Sequence, residues 1–398
     1  MAQQQSVAII GGGVVGLALS RELARAGYEV FLFEQDEHFG SAQSSRNSGV
    51  IHPGIPYRPR SLKAILCVLG RRMLYDFCRE HQVPFLKTGE LMIARDEMEN
   101  QELDFYLLRG LENGVEGLQK IARSKLKEME PNIEGYSALY SPETGIIDAG
   151  EYIKVLVRLA DDAGAQLLCR KVVGIGKRGS GFELRMVDMR APEEKQEIES
   201  MEFDWVVNAA GVYADEVAAM IKPDRNVAYK IIPVRGEYYW YSSTKRPELA
   251  IRHCIYGLPT RTPMPSGGTI FGLGMHLVPT LDTSLRDSVC LSDIVLVGPS
   301  TKGVCHKEDY ASNLYPPEYF LSAMKPVLPS LELGDLKEGY AGIRAELFGC
   351  DDVVICHDES FQQFINIFGS KSPCLTASLA IAPHILFYIK NRFFPEHS

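Results

Sequence analysis

The sequence predicts an α/β fold in which a parallel-sheet unit is split along the chain and a β-rich α+β domain is inserted into it. Three stretches carry that prediction. Residues 6–34 spell strand, glycine turn, helix and strand in immediate succession. Residues 206–211, VVNAAG, repeat the run of an apolar strand into a glycine turn far along the chain. Between and beyond these, residues 228–300 are rich in β-formers and read as antiparallel strands.

Ser6–Ile10 is a short apolar run, the mark of a buried parallel strand. Gly11, Gly13 and Gly16, with Val15 between them, supply G-x-G-x-x-G. Leu17, Leu19, Leu23 and Ala24 recur at helical spacing up to Gly27, a helix stop. Residues 30–33 form a second apolar strand that ends in Glu34. Each part has a physical task. Gly11 permits the tight turn, Gly13 lets backbone approach a pyrophosphate, and Gly16 lets helix and strand pack closely. The helix N-terminus offers unpaired N–H groups to phosphate. A carboxylate at 34 accepts from ribose hydroxyls and argues against NADP, which leaves NAD or FAD.

Residues 40–60 are loop-like, and Ser61 caps a helix whose apolar face includes Leu62, Leu66, Leu69, Met73 and Phe77. Residues 87–95 read as a strand, and 97–114 and 120–130 as helices, the second mostly charged. Residues 151–163 are an amphipathic helix stopped by Gly164. Strands are expected at 166–169 and 171–175, and a hairpin at 182–188 and 202–207. Residues 214–221 and 319–328 read as helices, 338–347 and 364–367 as strands, and a glycine turn near 369 opens a closing helix. On this reading 1–80, 148–222 and 335–398 build the nucleotide domain; 81–147 and 223–334 build the substrate domain. A dinucleotide fold distributed along the whole chain favours a flavin over NAD.

Composition excludes other classes. The chain has 398 residues, 45% hydrophobic, and a net charge of -9, which leaves no basic stripe for nucleic acid. Nine scattered cysteines form no C-x-x-C pair, which suits a reducing, cytoplasmic setting and no disulfide framework. No metal is expected. Only five residues precede the first strand, and no apolar run reaches the ~18 residues of a bilayer span, so any membrane contact is expected to be peripheral.

The chain resembles the FAD-dependent D-amino-acid-oxidase superfamily, and within it the L-2-hydroxyglutarate dehydrogenase branch. The matching pieces include GGGVVGLALSRELARAGYEVFLFE, SSRNSGVIHPGIPYRPRSLKAILCVLG, SPETGIIDAGEY, VVNAAGVYAD, PVRGEYY, GLGMHLVPTLD, GIRAEL and SPCLTASLAIA. The resemblance implies a discontinuous Rossmann-like FAD-binding domain with an inserted substrate domain. It implies oxidation of a small 2-hydroxy acid, and it leaves the electron acceptor open between a quinone and an electron-transfer protein. FAD contacts are expected from Gly11, Gly13, Val15, Gly16, Glu34, Ser44, Ser45, Arg46 and Asn47. Val173 would lie near adenine, and Ala210 and Gly211 at the second turn. Gly369, Leu375 and Thr376 would lie near the flavin pyrimidine.

Oxidising a 2-hydroxy acid needs a hydride acceptor, a base and a cation for the carboxylate. His52 in NSGVIHPG suits the base, since its ordinary pKa lies near working pH. Arg344 in GIRAEL suits the carboxylate, which a guanidinium grips through two parallel bonds. Arg235 is a weaker candidate for substrate contact, and Tyr238, Tyr239 and His276 could line the same pocket. Arg58, Lys63, Arg261 and Lys371 are candidates for the distal end of a dicarboxylate. The family usually has Gly where Cys374 stands. Residues 285–293 read as an insertion between strands, and 257–268 depart from the family's form. Two other readings stand beside the dehydrogenase: an FAD oxidase of an amino acid or glycerol 3-phosphate, and a flavin-binding assembly protein without turnover.

Overall fold

The apolar run Ser6–Ile10 lies at the middle of a six-stranded sheet because it can bury both of its faces. In this computed structural model the described residues are 4–394, apart from 193, 195, 222–228, 264–268, 273, 285–287 and 312–313. For 260–263 and 269–272 only the backbone is described. Two units divide the chain: Met1–Ser45, Ala149–Pro233 and Arg344–Ser398 form the first, and Arg46–Asp148 and Val234–Ile343 the second.

In the first unit the strand order is Val354–His357, Phe364–Phe368, Trp205–Asn208, Ser6–Ile10, Glu29–Glu34, Gln166–Cys169. All neighbours are parallel except the antiparallel edge strand Val354–His357. The chain leaves Ser6–Ile10 for Glu29–Glu34 on one side, while Trp205–Asn208 lies on the other. That reversal puts two glycine turns side by side at the carboxyl ends of neighbouring strands, where open α/β sheets bind ligands. Helix Val14–Arg25 packs with Cys374–Asn391 and Ala149–Asp162. A three-stranded antiparallel sheet, Lys171–Arg178, Gly181–Val187 and Glu199–Phe203, sends Phe182, Leu184 and Met186 into a core with Ala8, Phe31, Phe33 and Val206.

In the second unit a nine-stranded sheet forms the centre. Cys254–Tyr256 runs parallel to Glu90–Ala94 and antiparallel to His276–Asp282. Alternation divides Glu90–Ala94 between two cores. Leu91 and Ile93 pack with Tyr241, Val297 and Phe320, whereas Met92 and Ala94 pack with Val68, Leu103 and Tyr106.

Several expectations need correction. Residues 46–80 belong to the second unit, not to the nucleotide unit. Val50–Ile51 pairs with Gly145–Ile147, and helix Leu62–His81 lays Val68 on Met92 and Leu139. An apolar helix face does not say which sheet it will cover. The expected helix at 120–130 is shorter: Gln119–Ala122 is a strand beside Ser137–Ser141, and only Arg123–Met129 is helical. The run 202–207 breaks at Asp204. Glu199–Phe203 pairs with Gly181–Val187, while Trp205–Asn208 enters the main sheet. Asp204 fixes the break, accepting from the Ser6 amide at 2.8 Å. Of the expected insertion 285–293, Cys290–Gly298 is a strand that begins within it, with Asp282 opposite Cys290; 285–287 lie outside the described residues.

Candidate active site

The two glycine turns of the first unit press on each other. Gly11 has φ +110°, and a Cβ there would stand 2.4 Å from the Ala209 carbonyl oxygen. A Cβ on Gly16 would stand 2.0 Å from the Gly11 carbonyl oxygen, and one on Gly13 would meet Ser44 Oγ at 2.9 Å. Helix Val14–Arg25 therefore starts in contact with the turn. Its N-cap, Gly13, has no capping side chain, and no acid lies in the first turn. Ser44 Oγ accepts from the Val14 amide at 3.1 Å, and Val15 is buried behind it. The positive end of the helix is thus left for an anion.

Glu34 ends the neighbouring strand. Its Oε2 accepts from the Gly12 amide at 2.8 Å and its Oε1 from the Asp36 amide at 3.0 Å. Burial pushes its pKa up, and the amide bonds pull it back. A carboxylate has about four acceptor sites, so capacity remains beyond the Gly12, Asp36 and Gln35 amides. A glycine cradle that a Cβ would fill, a positive helix end and an acid at the strand end fit a dinucleotide.

The second turn is organised by Asn208, fully buried, which sequence reading passed over. Its Nδ2 donates to the Ala214 carbonyl at 2.7 Å and to Asn366 Oδ1 at 2.9 Å, and its Oδ1 accepts from the Ala210 amide at 3.3 Å. A polar residue closing the apolar run VVN was the available signal. Gly211 has φ +57°, and its missing Cβ would lie 3.4 Å from Gln43 Oε1. Gln43 Nε2 donates to the Ser370 carbonyl at 2.9 Å, joining the loop after the first strand pair to the loop before the closing helix. Nothing in the local sequence marks Gln43 for this.

Gly369 takes φ +70° at the end of Phe364–Phe368. The Cys374 amide, at the head of the closing helix, donates to the Lys371 carbonyl at 2.8 Å, so it turns into its own loop. Thr376 is fully buried and Leu375 half-buried. Lys371 is withdrawn from the candidates for a dicarboxylate's distal end. Its ammonium is buried, donates to Glu346, and lies 2.9 Å from Asp351 Oδ1. Arg344 and Glu346 alternate onto one face of Lys337–Leu347. Ser45 Oγ bonds its own turn, at the Ser41 carbonyl, and Val173 is exposed beside a bulge in its strand.

The second unit holds the remaining candidates. Arg46 stacks over Tyr310, 4.5 Å from the ring centre, and the Asn47 carbonyl accepts from Tyr340 Oη at 2.6 Å. His52 follows the strand Val50–Ile51. Burial, reinforced by the His276 imidazole, lowers its pKa to about 3. Its surroundings thus favour the neutral imidazole over the charged one. His276 is buried and stacks on Tyr256 at 4.5 Å. Its Nδ1 meets the Gly274 carbonyl at 3.1 Å; a carbonyl only accepts, so Nδ1 carries the proton in the neutral ring.

Arg235 is 1% exposed, pairs with Asp309, and lies 3.4 Å from Glu237. Two carboxylates of its own unit already meet its charge. Tyr238 packs on Tyr340 at 4.9 Å, and Tyr239 packs on Phe320 in the main core, away from pocket-lining duty. Of the distal cation candidates, Arg58 is exposed, Lys63 is buried 5.7 Å from the Tyr57 ring centre, and the side chain of Arg261 lies outside the described residues. No described helix is long and apolar enough to cross a membrane.

Comparison with known proteins agrees with this geometry. The profile of the family described as FAD dependent oxidoreductase matches residues 6–386. A mitochondrial L-2-hydroxyglutarate dehydrogenase of Arabidopsis thaliana is 34% identical, over 95% of this chain and 82% of that protein. A glycerol 3-phosphate dehydrogenase of Caloramator mitchellensis is 30% identical, over 97% of this chain and 74% of that protein. Among solved structures, an FAD-bound L-α-glycerophosphate oxidase of Mycoplasma pneumoniae superposes with a TM-score of 0.82 at 24% identity, covering 100% of this chain and 97% of the other. FAD is the cofactor of this chain. With its Rossmann-like sheet, its β-rich second unit and that match along nearly its whole length, the chain belongs to the family of FAD-dependent oxidoreductases.

Proposed function

We propose that this protein oxidises L-2-hydroxyglutarate, or a similar L-2-hydroxy acid, to the 2-oxo acid. The observation that carries the reading is the 34% identity, over 95% of this chain, to an L-2-hydroxyglutarate dehydrogenase. Bound FAD supplies the hydride acceptor. His52, uncharged before substrate arrives, accepts the proton of the 2-hydroxyl. The incoming carboxylates stabilise the imidazolium that forms and raise its basicity at the moment it is needed. Arg344 grips the C1 carboxylate and fixes the direction of the C2–H bond. Arg235, with its charge met, serves to hold its strand. The cradle residues Gly11, Gly13, Val15, Gly16, Glu34 and Ser44 hold the dinucleotide; Ser45, Arg46, Asn47, Val173, Ala210, Gly211, Gly369, Leu375 and Thr376 complete its contacts.

A second reading, glycerol 3-phosphate oxidation, is favoured by the relative from Caloramator mitchellensis. Anaerobic mixing of the holoprotein with L- and D-2-hydroxyglutarate, L-lactate, L-malate, glycerol 3-phosphate and glycine separates the two. The expected outcome is bleaching of the flavin by L-2-hydroxyglutarate and not by its enantiomer, because exchanging hydrogen and hydroxyl at C2 takes the proton away from His52. Bleaching by glycerol 3-phosphate with no response to any 2-hydroxy acid would overturn the proposal.

A further inference from the structure

The segment 52–57, which carries His52, is held by side chains. Five of its six carbonyls accept from them. Cys67 Sγ reaches the His52 carbonyl at 3.4 Å and Arg71 Nη1 the Pro53 carbonyl at 3.1 Å. Asn113 Nδ2 bridges the Gly54 and Tyr57 carbonyls at 2.8 and 2.9 Å, and Arg109 Nη1 takes that of Pro56 at 3.1 Å. The donors come from helix Leu62–His81, helix Glu97–Glu112 and the residue just after it. Gly54, at φ +108°, lies so close to the first helix that a Cβ would meet Val68 at 3.0 Å.

Arg71 stands out among these donors. It is fully buried, its Nη2 pairs with Glu116, and its Nε lies 3.6 Å from Glu143. A buried ion pair is a weak source of stability, since desolvation offsets most of the attraction. A planar guanidinium can, however, hold carboxylates on two edges and aim a further N–H at a fixed point. Here that point is the carbonyl of the residue next to His52.

We infer that Arg71 is a positioning residue: through the Pro53 carbonyl it sets where the His52 imidazole stands, without touching substrate. The inference rests on the reading of His52 as the base. Lysine cannot replace the fork, and a loop freed to shift by about 1 Å can lower a rate by about 10²-fold.

The test uses anaerobic stopped-flow reduction of the FAD-loaded enzyme by L-2-hydroxyglutarate, with glycerol 3-phosphate as a second probe. The variants are Arg71→Met and Arg71→Lys, each alone and combined with His52→Ala. The expected result is a limiting reduction rate lowered by about 10- to 100-fold, an apparent Kd changed by less than about threefold, and no further slowing in the His52→Ala background. Full-speed reduction by the single variants overturns the inference, and so does slowing that adds to that of His52→Ala, which marks a general structural role. If Arg71→Met does not fold, Arg71→Lys carries the same comparison. If His52→Ala is as fast as wild type, or neither probe reduces the wild-type flavin, the base reading falls and the inference with it. If His52→Ala is slow and the Arg71 effect is additive, only the inference falls.

Discussion

Glu34 holds the turn it was expected only to face: its Oε2 accepts from the Gly12 amide at 2.8 Å. The acid thus has a task inside the protein beside the ribose contact proposed for it. Glu34→Ala should lower the thermal midpoint of the FAD-free protein and also weaken FAD binding. A hydrogen bond to a charged group contributes about 1.5–3 kcal/mol. Calorimetry of apo and FAD-loaded protein checks both parts; an unchanged apo midpoint would show that the internal bonds are idle.

Gly16→Ala should abolish flavin retention. Its Cβ would overlap a backbone carbonyl oxygen at 2.0 Å, and backbone cannot swing aside as a side chain can. The strain should reach or exceed the usual overpacking range of about 1–3 kcal/mol. Gly176→Ala, with nothing within 4 Å, is the control and should stay yellow and near wild type in urea unfolding. A yellow, fully stable Gly16→Ala protein would mean that the turn is looser than described.

The depressed pKa of His52 has a sign that can be checked. A base must be unprotonated, and a group titrating at about 3 stays so far below neutrality. The kcat/KM profile should therefore show no acid limb from His52 between about pH 5.5 and 8, whereas an ordinary histidine at about 6.5 would give one. The same shift acts on stability. Below about pH 6.5 the unfolded chain takes up a proton that the folded protein does not, so this contribution falls as pH drops toward the folded value of about 3. A limb near pH 6.5 that vanishes in His52→Ala would refute the shift.

Arg344→Ala should raise KM and lower kcat together, because a lost bidentate clamp loosens binding and hydride direction alike. Arg344→Lys should recover part of the KM effect and less of the kcat effect, since an ammonium keeps charge without the planar fork. Steady-state kinetics with an artificial electron acceptor read both; wild-type values for Arg344→Ala would retire the clamp.

The cradle was legible in the sequence because its constraints are steric and local. A carbonyl 2.0 Å from where a side chain would begin admits only glycine, and the spacing of Gly11, Gly13 and Gly16 records that. What the sequence concealed is set by distant partners. Lys371 reads as a free cation until Glu346 and Asp351 are folded against it. Residues 46–80 look like a continuation of the nucleotide fold until Val50–Ile51 pairs with Gly145–Ile147. Gln119–Ala122 reads as a lead into the charged helix that follows it, yet the edge of Ser137–Ser141 recruits it as a strand. The grip of Arg71 on Pro53 follows no motif, because a side-chain bond to a carbonyl leaves no pattern in residue type.

The bond from Asn208 to Asn366 spans 158 residues, and it ties the second glycine turn to a strand made long after it. A ribosome has released the first strand and its glycine turn long before Phe364–Phe368 exists to flank Trp205–Asn208. Non-local pairing of this kind is slow to form and leaves sheet edges open meanwhile. The nascent chain therefore carries a recognisable nucleotide motif without a finished receptacle for the nucleotide until Phe364–Phe368 has been made. Flavin capture waits for that strand, and a chain cut before residue 364 should remain colourless however much of its fingerprint it retains.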